Sequence, residues 1–337
     1  MSYPDKLMTL LALLLLAGCS DDHSDIPEEQ SSCAIEFAAP VLNNMSRNSA
    51  PTFPFDNFRI YAFTDDAQYY IYDGAEVDEN GNGKWICDQR EYWYPEHTYW
   101  FTALAPGESQ GMTFTPVREG EPPYSGGGTL HYNAMADSAK TDILYAFRKE
   151  VTPSIIPDKA PAVDLEFNHL LAQLTFTFYN ELGNPHYFIN VPSITLGNLY
   201  SEGEIDLNST SPQWERTGYG TFWTGAGRAD LIKVNDPKTS APVYILPIKP
   251  EGAVIQLQTH LFYIYNPEDT TGIEFSAVKT FTVDFPDIDL KAGHSYNIIA
   301  HLNHNNVDGP QEELTPISFE IEDRSWRYDY IIDVNTR

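Results

Sequence analysis

Short segments in which apolar and polar residues alternate recur along the chain, and they predict a fold built almost entirely from β-strands. Within residues 33–39, one face of an extended chain carries Cys33, Ile35, Phe37 and Ala39. Residues 58–63 follow a similar pattern, and turn residues separate such segments. Helical periodicity is scarce apart from an Ala-rich stretch at 133–140. Short strands separated by turns are typical of β-sandwiches.

A proline-rich stretch predicts the boundary between two domains, because proline interrupts regular structure. Residues 151–162 contain Pro153, Pro157 and Pro161. We predict an N-terminal β-sandwich domain at 48–155 and a C-terminal β-sandwich domain at 156–337. A length of 337 residues fits two domains of ordinary size.

The apolar pattern changes phase just after this boundary. Apolar residues are odd-numbered from Val163 to Phe167 and even-numbered from Leu174 to Phe178. A change of phase inside an apolar run indicates a bulge, a corner or a short turn between two strands. Residues 168–171 lie at that change.

The N-terminus carries the features of an export signal. Lys6 precedes an apolar run at 7–16, which is too short to span a bilayer as a helix. Residues 1–18 are therefore predicted to be a signal peptide. The Leu-Leu-Ala-Gly-Cys ending at Cys19 resembles the lipobox of bacterial lipoproteins, which implies that Cys19 is acylated, as by palmitate, and becomes the mature N-terminus. The alternative is an ordinary signal peptide with a chance cysteine.

The charge of the chain argues against nucleic acid and against anionic lipid surfaces as partners. Lys and Arg number 20 and Asp and Glu number 48, giving a formal net charge of −28. Nucleic acid needs cationic side chains to replace its counterions, so nucleic-acid binding is not expected. After Cys19 the polar, acidic residues 20–30 predict a solvated tether.

Catalytic and cofactor motifs are missing from the sequence. It contains no Gly-x-Ser-x-Gly elbow, zinc-binding helix, phosphate loop or dinucleotide fingerprint. Asp78-x-Asn80-x-Asn82 starts like a calcium loop, but its Asn-Gly pairs favour a hairpin turn. His169 is interpreted as a hydrogen-bonded structural histidine rather than a ligand or a base. We therefore expect no enzyme, no metal and no cofactor, although 48 acidic residues leave a glycosidase pair as an open alternative.

An aromatic cluster allows two interpretations. Tyr92, Trp93, Tyr94 and Trp100 lie within nine residues of one another. Exposed aromatic rings could stack on sugars, whereas buried ones would pack in a core.

Several segments, in order across nearly the whole chain, resemble the fimbrillin-like family, whose members are subunits of type V pili of Gram-negative bacteria. The strongest is the Phe167-x-His169 run, and the lipobox at Cys19 also belongs to the pattern. The other matching segments are 93–95, 99–106, 142–146, 163–174, 290–298 and 317–321 with Trp326. The resemblance implies two tandem transthyretin-like Greek-key β-sandwich domains.

The resemblance also implies a route of assembly. The lipoprotein precursor passes through the periplasm to the outer membrane, where an arginine-specific protease removes its first strand. A strand of a neighbouring subunit then fills the groove. Residues 19–47 would be the acidic tether and the removable strand, with Ile35 and Phe37 as inward plugs. Arg47 is the first arginine of the chain, so cleavage is predicted between Arg47 and Asn48.

The C-terminus supplies a candidate donor strand. Four apolar side chains share one face of the last residues, namely Tyr328, Tyr330, Ile332 and Val334. The alternative is a final edge strand of the C-terminal domain. A disulfide between Cys33 and Cys87 would hold the first strand after cleavage, so we expect both to be thiols.

The sequence thus predicts a structural subunit of a surface pilus that supports adhesion. Its predicted partners are other pilus subunits, an arginine-specific protease and the outer membrane. A host or glycan ligand is a further possibility. A stalk subunit is the first choice, and a tip or anchor subunit is an alternative. A second alternative is an outer-membrane surface lipoprotein that binds glycans and never polymerises.

Overall fold

The computed structural model describes residues 33–42, 54–65, 70–81, 84–117, 127–136, 139–157, 159–208, 212–224, 231–268, 271–275 and 278–325. These residues form almost exclusively β-structure. The strands are β1 (Val41–Leu42), β2 (Asn57–Thr64), β3 (Tyr70–Glu79), β4 (Trp85–Cys87), β5 (Thr98–Ala105), β6 (Met112–Pro116), β7 (Gly128–Asn133), β8 (Leu144–Val151), β9 (Glu166–His169), β10 (Ala172–Asn180), β11 (Tyr187–Asp206), β12 (Trp214–Thr224), β13 (Lys238–Thr239), β14 (Val243–Ile245), β15 (Val254–Asn266), β16 (Thr271–Phe275), β17 (Lys279–Asp284), β18 (His294–Leu302) and β19 (Phe319–Ser325).

The first sheet has the strand order β1-β9-β8-β5-β2-β3-β4. Its inward side chains form a core with those of the flanking segments, including residues of 33–42. Fully buried aromatic rings such as Phe58, Tyr72 and Phe101 lie at the centre of this core. Aromatic and β-branched side chains suit such a pleated, half-buried surface.

The other two sheets pack face to face around a second core, as a β-sandwich does. One has the order β13-β10-β18-β19, with β14 also paired to β10. The other has the order β16-β15-β11-β7-β6, with β12 paired to β11 and β17 to β15. Their inward residues, for example Phe176, Ile194 and Ile298, are fully buried in one cluster. The prediction of an all-β fold is confirmed at the level of strands and sheets.

Strand pairing crosses the boundary predicted between residues 155 and 156. β6 and β7 precede it, yet they extend the sheet of β11. β9 follows it, yet it pairs with β8 of the first sheet. The chain therefore leaves the first sheet after β5, returns with β8 and β9, and leaves again at β10. The prolines at 153–161 lie in a connection between β8 and β9 rather than between separate sheets.

The change of apolar phase at residues 168–171 corresponds to the passage from one sheet to the next. β9 ends at His169 in the first sheet, and β10 begins at Ala172 in the second. Leu170 and Leu171 between them are buried. Of the three interpretations of the phase change, the short turn between strands is correct.

The helices of the described ranges are short. They are the α-helix α1 (His304–Val307) and the 3-10 turns Ala134–Ala136 and Gln311–Glu313, the first of which lies in the Ala-rich stretch. Within these ranges no helix is long and apolar enough to cross a membrane.

The segment that starts like a calcium loop at Asp78 belongs to a hairpin, as the sequence favoured. β3 and β4 pair antiparallel, with Glu79 opposite Trp85. Across the described ranges, no group of three or more His, Cys, Asp or Glu residues is arranged to hold a metal ion.

Candidate functional site

The most informative site is the slot occupied by residues 33–42, which we call the first-strand slot. On one side, the Ile35 N–H donates to the Glu91 carbonyl at 2.9 Å, and the Trp93 N–H donates to the Cys33 carbonyl at 2.9 Å. Phe37 also forms an antiparallel bridge with Trp85 of β4. The segment therefore pairs with the outer edge of the first sheet.

The other side of the segment pairs with the opposite edge. The Val163 N–H donates to the Glu36 carbonyl at 2.7 Å, and the Ala38 N–H donates to the Val163 carbonyl at 3.0 Å. β1 then continues parallel to β9, with Leu42 opposite Phe167. Residues 33–42 thus join the two edges of one sheet, and each edge would be open without them.

The inward side chains of the segment fill the first core. Ile35 and Phe37 are each only 6% exposed. The Phe37 ring lies between three buried rings, with centroids 6.0 Å from Phe58, 5.9 Å from Tyr72 and 6.3 Å from Phe101. The contacts with Phe58 and Phe101 are edge-on, and such aromatic contacts add to the burial of apolar area.

The alternation predicted for this segment breaks before its end. Ala39 was expected on the inward face, but it is exposed, while Pro40 and Leu42 are buried. The inward face shifts by one residue where the segment changes partners and turns into the parallel pairing with β9. A shift of one residue moves every later side chain to the other face.

The slot has a chemistry suited to exchanging one strand for another. Its lining is apolar, and its edges present backbone donors and acceptors that residues 33–42 satisfy. Loss of the segment would expose both to water, which costs free energy. Any extended chain with apolar residues at alternate positions could restore them.

Cys33 and Cys87 are both half-buried thiols in the structure and do not form a disulfide with each other. The Cys33 Sγ accepts a hydrogen bond from the Ala160 N–H at 3.0 Å. Cys87 ends β4 and packs against the first core. Burial raises the pKa of the Cys87 thiol to about 11, and the neighbouring Asp88 carboxylate acts in the same direction.

Cys87 should therefore react slowly with iodoacetamide while the first-strand slot is occupied. A pKa of about 11 instead of 9.0 lowers the thiolate population at pH 8 by about a hundredfold. A thiolate of higher pKa is also the stronger nucleophile, which offsets part of this loss. We therefore expect a chain of residues 20–337 with Cys33→Ser to be alkylated about tenfold more slowly when folded than in concentrated urea. Mass spectrometry over time measures both rates, and equal rates would contradict the buried environment.

Several predicted site residues lie outside the described residues. These are Cys19, Arg47, Asn48, Tyr328, Tyr330, Ile332 and Val334. On either side of the predicted cleavage site, the structure describes the chain up to Leu42 and again from Pro54. At the C-terminus the last described strand, β19, ends at Ser325.

The aromatic cluster is mainly a packing feature. Trp93 is 5% exposed and Trp100 is 7% exposed, and the Trp100 ring stacks on Phe63 at a centroid distance of 5.4 Å. Tyr94 is exposed and Tyr92 is half-buried. The two tryptophans therefore cannot form a platform for sugars.

His169 makes the structural contact expected of it. Its Nδ1 lies 2.6 Å from Asp142 Oδ2, and both side chains are almost fully buried. The sequence analysis did not identify Asp142 as its partner, because 27 residues separate the two. The only available clue was that both residues lie in segments that carry the family resemblance.

Comparison with known proteins identifies the wider relationship. A family model described as fimbrillin-like matches residues 51–323. Among solved structures, a fimbrial protein of Bacteroides vulgatus is 14% identical, covers 80% of this chain and 93% of its own, and superposes with a TM-score of 0.57. A candidate cell adhesion protein of Bacteroides ovatus is 12% identical, with coverages of 89% and 99% and a TM-score of 0.55. No curated protein sequence matches the chain.

Proposed function

The chain belongs to the fimbrillin-like family, and on that basis we propose that it is a structural subunit of a cell-surface pilus that supports adhesion. In this proposal the subunit is exported as a lipoprotein, processed by an arginine-specific protease and assembled by strand exchange. The family and the absence of catalytic motifs in the sequence support a structural role rather than an enzymatic one.

The observation that carries the proposal is the two-sided pairing of residues 33–42. A segment near the start of the chain holds together two edges of a sheet that residues 57–169 otherwise build. Such a segment can be replaced by another chain without rearranging the strands around it. Donation of a strand to an open sheet edge is a general mode of protein recognition.

The proposed processing site is the bond between Arg47 and Asn48. It follows the segment by five residues, counted from Leu42, so a cut there would separate residues 33–42 from the sheet that they complete. Lipidation at Cys19 would keep the precursor at the outer membrane until the cut. Cleavage would then release the lipid together with the first strand.

The proposed donor is the C-terminal segment with Tyr328, Tyr330, Ile332 and Val334 on one face. Its alternation matches what the slot accepts from Ile35 and Phe37, namely apolar side chains two residues apart. Other pilus subunits are the partners in this scheme. The arginine-specific protease cuts the subunit before it joins them.

The proposal predicts that surface-exposed protein begins at Asn48 and polymerises, whereas Arg47→Lys protein keeps Cys19 and stays monomeric. An arginine-specific protease should not cut after lysine, so the first strand remains in its slot. The measurements are the N-terminus by mass spectrometry and the polymer by electron microscopy.

The matched control for Arg47→Lys is Arg90→Lys, which changes an arginine elsewhere in the N-terminal half and should leave processing and assembly unchanged. Pili built from subunits that still carry an acylated Cys19 would contradict the exchange model. An acylated Cys19 without pili would indicate an anchor subunit or a lipoprotein that does not polymerise.

A further inference from the structure

A large cleft lies where the first sheet meets the other two, at the end of β9, the strand that pairs with β1. Its volume is about 730 Å³, within the range of about 300–1,000 Å³ that is usual for ligand pockets. Residues at the ends of β8 and β9 form one side, and the start of β12 forms another. The loops at 247–249 and 289–292 complete it. Junctions of this kind are common places for ligand sites.

Two cations in the cleft lining are placed to attract an anionic ligand. Of the described residues that line it, Arg216, Lys249 and Lys291 are cationic, and Asp289 is the one carboxylate. Lys249 also pairs with the exposed Asp287 at 3.1 Å. The Asp287, Glu251 and Asp289 carboxylates all act on Lys249 and raise its pKa, so its charge is compensated. Arg216 and Lys291 are the two cations of the lining for which the described residues show no ion pair. Such a site attracts anions locally.

Arg216 is held in place before any ligand arrives. Its guanidinium lies over the Tyr200 ring, 5.5 Å from the centroid. Tyr200 is in turn stacked on Tyr219 at 4.2 Å, and their hydroxyl groups are 2.7 Å apart. A cation placed on an aromatic face loses less conformational freedom when it binds, and a guanidinium matches the geometry of a carboxylate.

The walls of the cleft are apolar and rigid. Trp214, Leu170, Ile205 and Leu290 line it and are almost fully buried. The Trp214 Nε1–H donates to the Leu170 carbonyl at 2.9 Å, which fixes the indole ring. Ile248 and Leu290 exchange backbone hydrogen bonds of 2.8 and 2.9 Å. The cleft therefore keeps its shape without a ligand.

We propose that this cleft binds an acidic oligosaccharide, with a sugar carboxylate against Arg216 and Lys291 and a sugar ring against the half-buried Tyr145. A sugar acid combines what the lining offers, because its ring has an apolar face and its carboxylate carries the charge. Gln213 and Asn168 at the rim can hydrogen-bond to hydroxyl groups. A simple anion such as phosphate would make no use of the Tyr145 ring.

The test uses the uncleaved chain of residues 20–337 as a monomer. Binding is measured by calorimetry with a tetrasaccharide of alternating glucuronate and N-acetylglucosamine, with the neutral tetramer of N-acetylglucosamine, and with a tetrapeptide that has a free C-terminus. We expect the acidic tetrasaccharide to bind about tenfold or more tightly than the other two. Its affinity should fall as salt is added.

The double variant Arg216→Gln with Lys291→Gln should weaken binding of the acidic tetrasaccharide about tenfold or more. The matched control is Arg90→Gln with Lys238→Gln, which removes the same charge from two residues outside the cleft lining and should leave binding unchanged. Arg90 also lies over an aromatic ring, that of Tyr92. Circular dichroism verifies that both fold. Equal weakening in the control, or equal binding of the neutral tetramer or the peptide, would overturn the proposal.

The inference gives the proposed adhesive role a ligand, and its test is independent of assembly. A monomer that cannot polymerise can still bind the tetrasaccharide, and pili can form from a subunit that does not. Failure of the binding proposal can therefore be told apart from failure of the proposed pilus assembly.

Discussion

Replacing Phe37 with alanine is expected to lower the free energy of unfolding of the uncleaved chain by about 3–5 kcal/mol. The ring is 6% exposed and lies about 6 Å from three other buried rings, so its removal loses apolar burial and leaves a cavity. Urea unfolding followed by tryptophan fluorescence measures the change, because Trp85 and Trp93 belong to the same core.

The control for Phe37→Ala is Glu36→Ala, the preceding residue, whose side chain is exposed. It keeps the backbone pairing of the segment and should change the free energy of unfolding by no more than about 0.5 kcal/mol. Equal stability of the two variants would show that the Phe37 ring does not stabilise the first core, which would contradict the prediction. In the proposed pilus, Phe37→Ala should also make the first strand easier to displace.

Replacing Asp142 with alanine is expected to lower the free energy of unfolding by about 1–3 kcal/mol. His169 would lose a hydrogen bond of 2.6 Å in a place where water cannot replace it, since its side chain is 3% exposed. The pair lies where β9 ends and the chain crosses to β10, next to the bond from the Leu170 N–H to the Ile143 carbonyl. Its loss should therefore loosen the junction of the sheets.

A double-mutant cycle with His169→Ala separates the pair from the individual side chains. The second substitution should cost less in the presence of the first, because the partner is already gone. The control is Asp308→Ala, which removes an exposed partner 3.0 Å from His304 and should cost no more than about 1 kcal/mol. Additive effects of Asp142→Ala and His169→Ala would show that the contact contributes nothing.

The alternation of apolar and polar residues was sufficient to predict the individual strands of the fold. Side chains in a strand point to opposite faces in turn, so the inward positions of Ile35 and Phe37 could be inferred from seven residues. The change of phase at residues 168–171 likewise located the end of one strand and the start of the next. The family resemblance carried the functional expectation, and the family match over residues 51–323 confirms the family.

The tertiary structure alone decided which strands lie side by side. The sequence placed β6 and β7 with the N-terminal half, but they pair with the sheet of β11, where His131 meets Glu202 across 71 residues. The first-strand slot, the Asp142–His169 pair and the cationic cleft likewise depend on residues that are distant in sequence. The alternation of a strand specifies which face is buried but not which neighbour covers it, because backbone hydrogen bonds are the same for every partner. Only the packing of the complete chain selects among them.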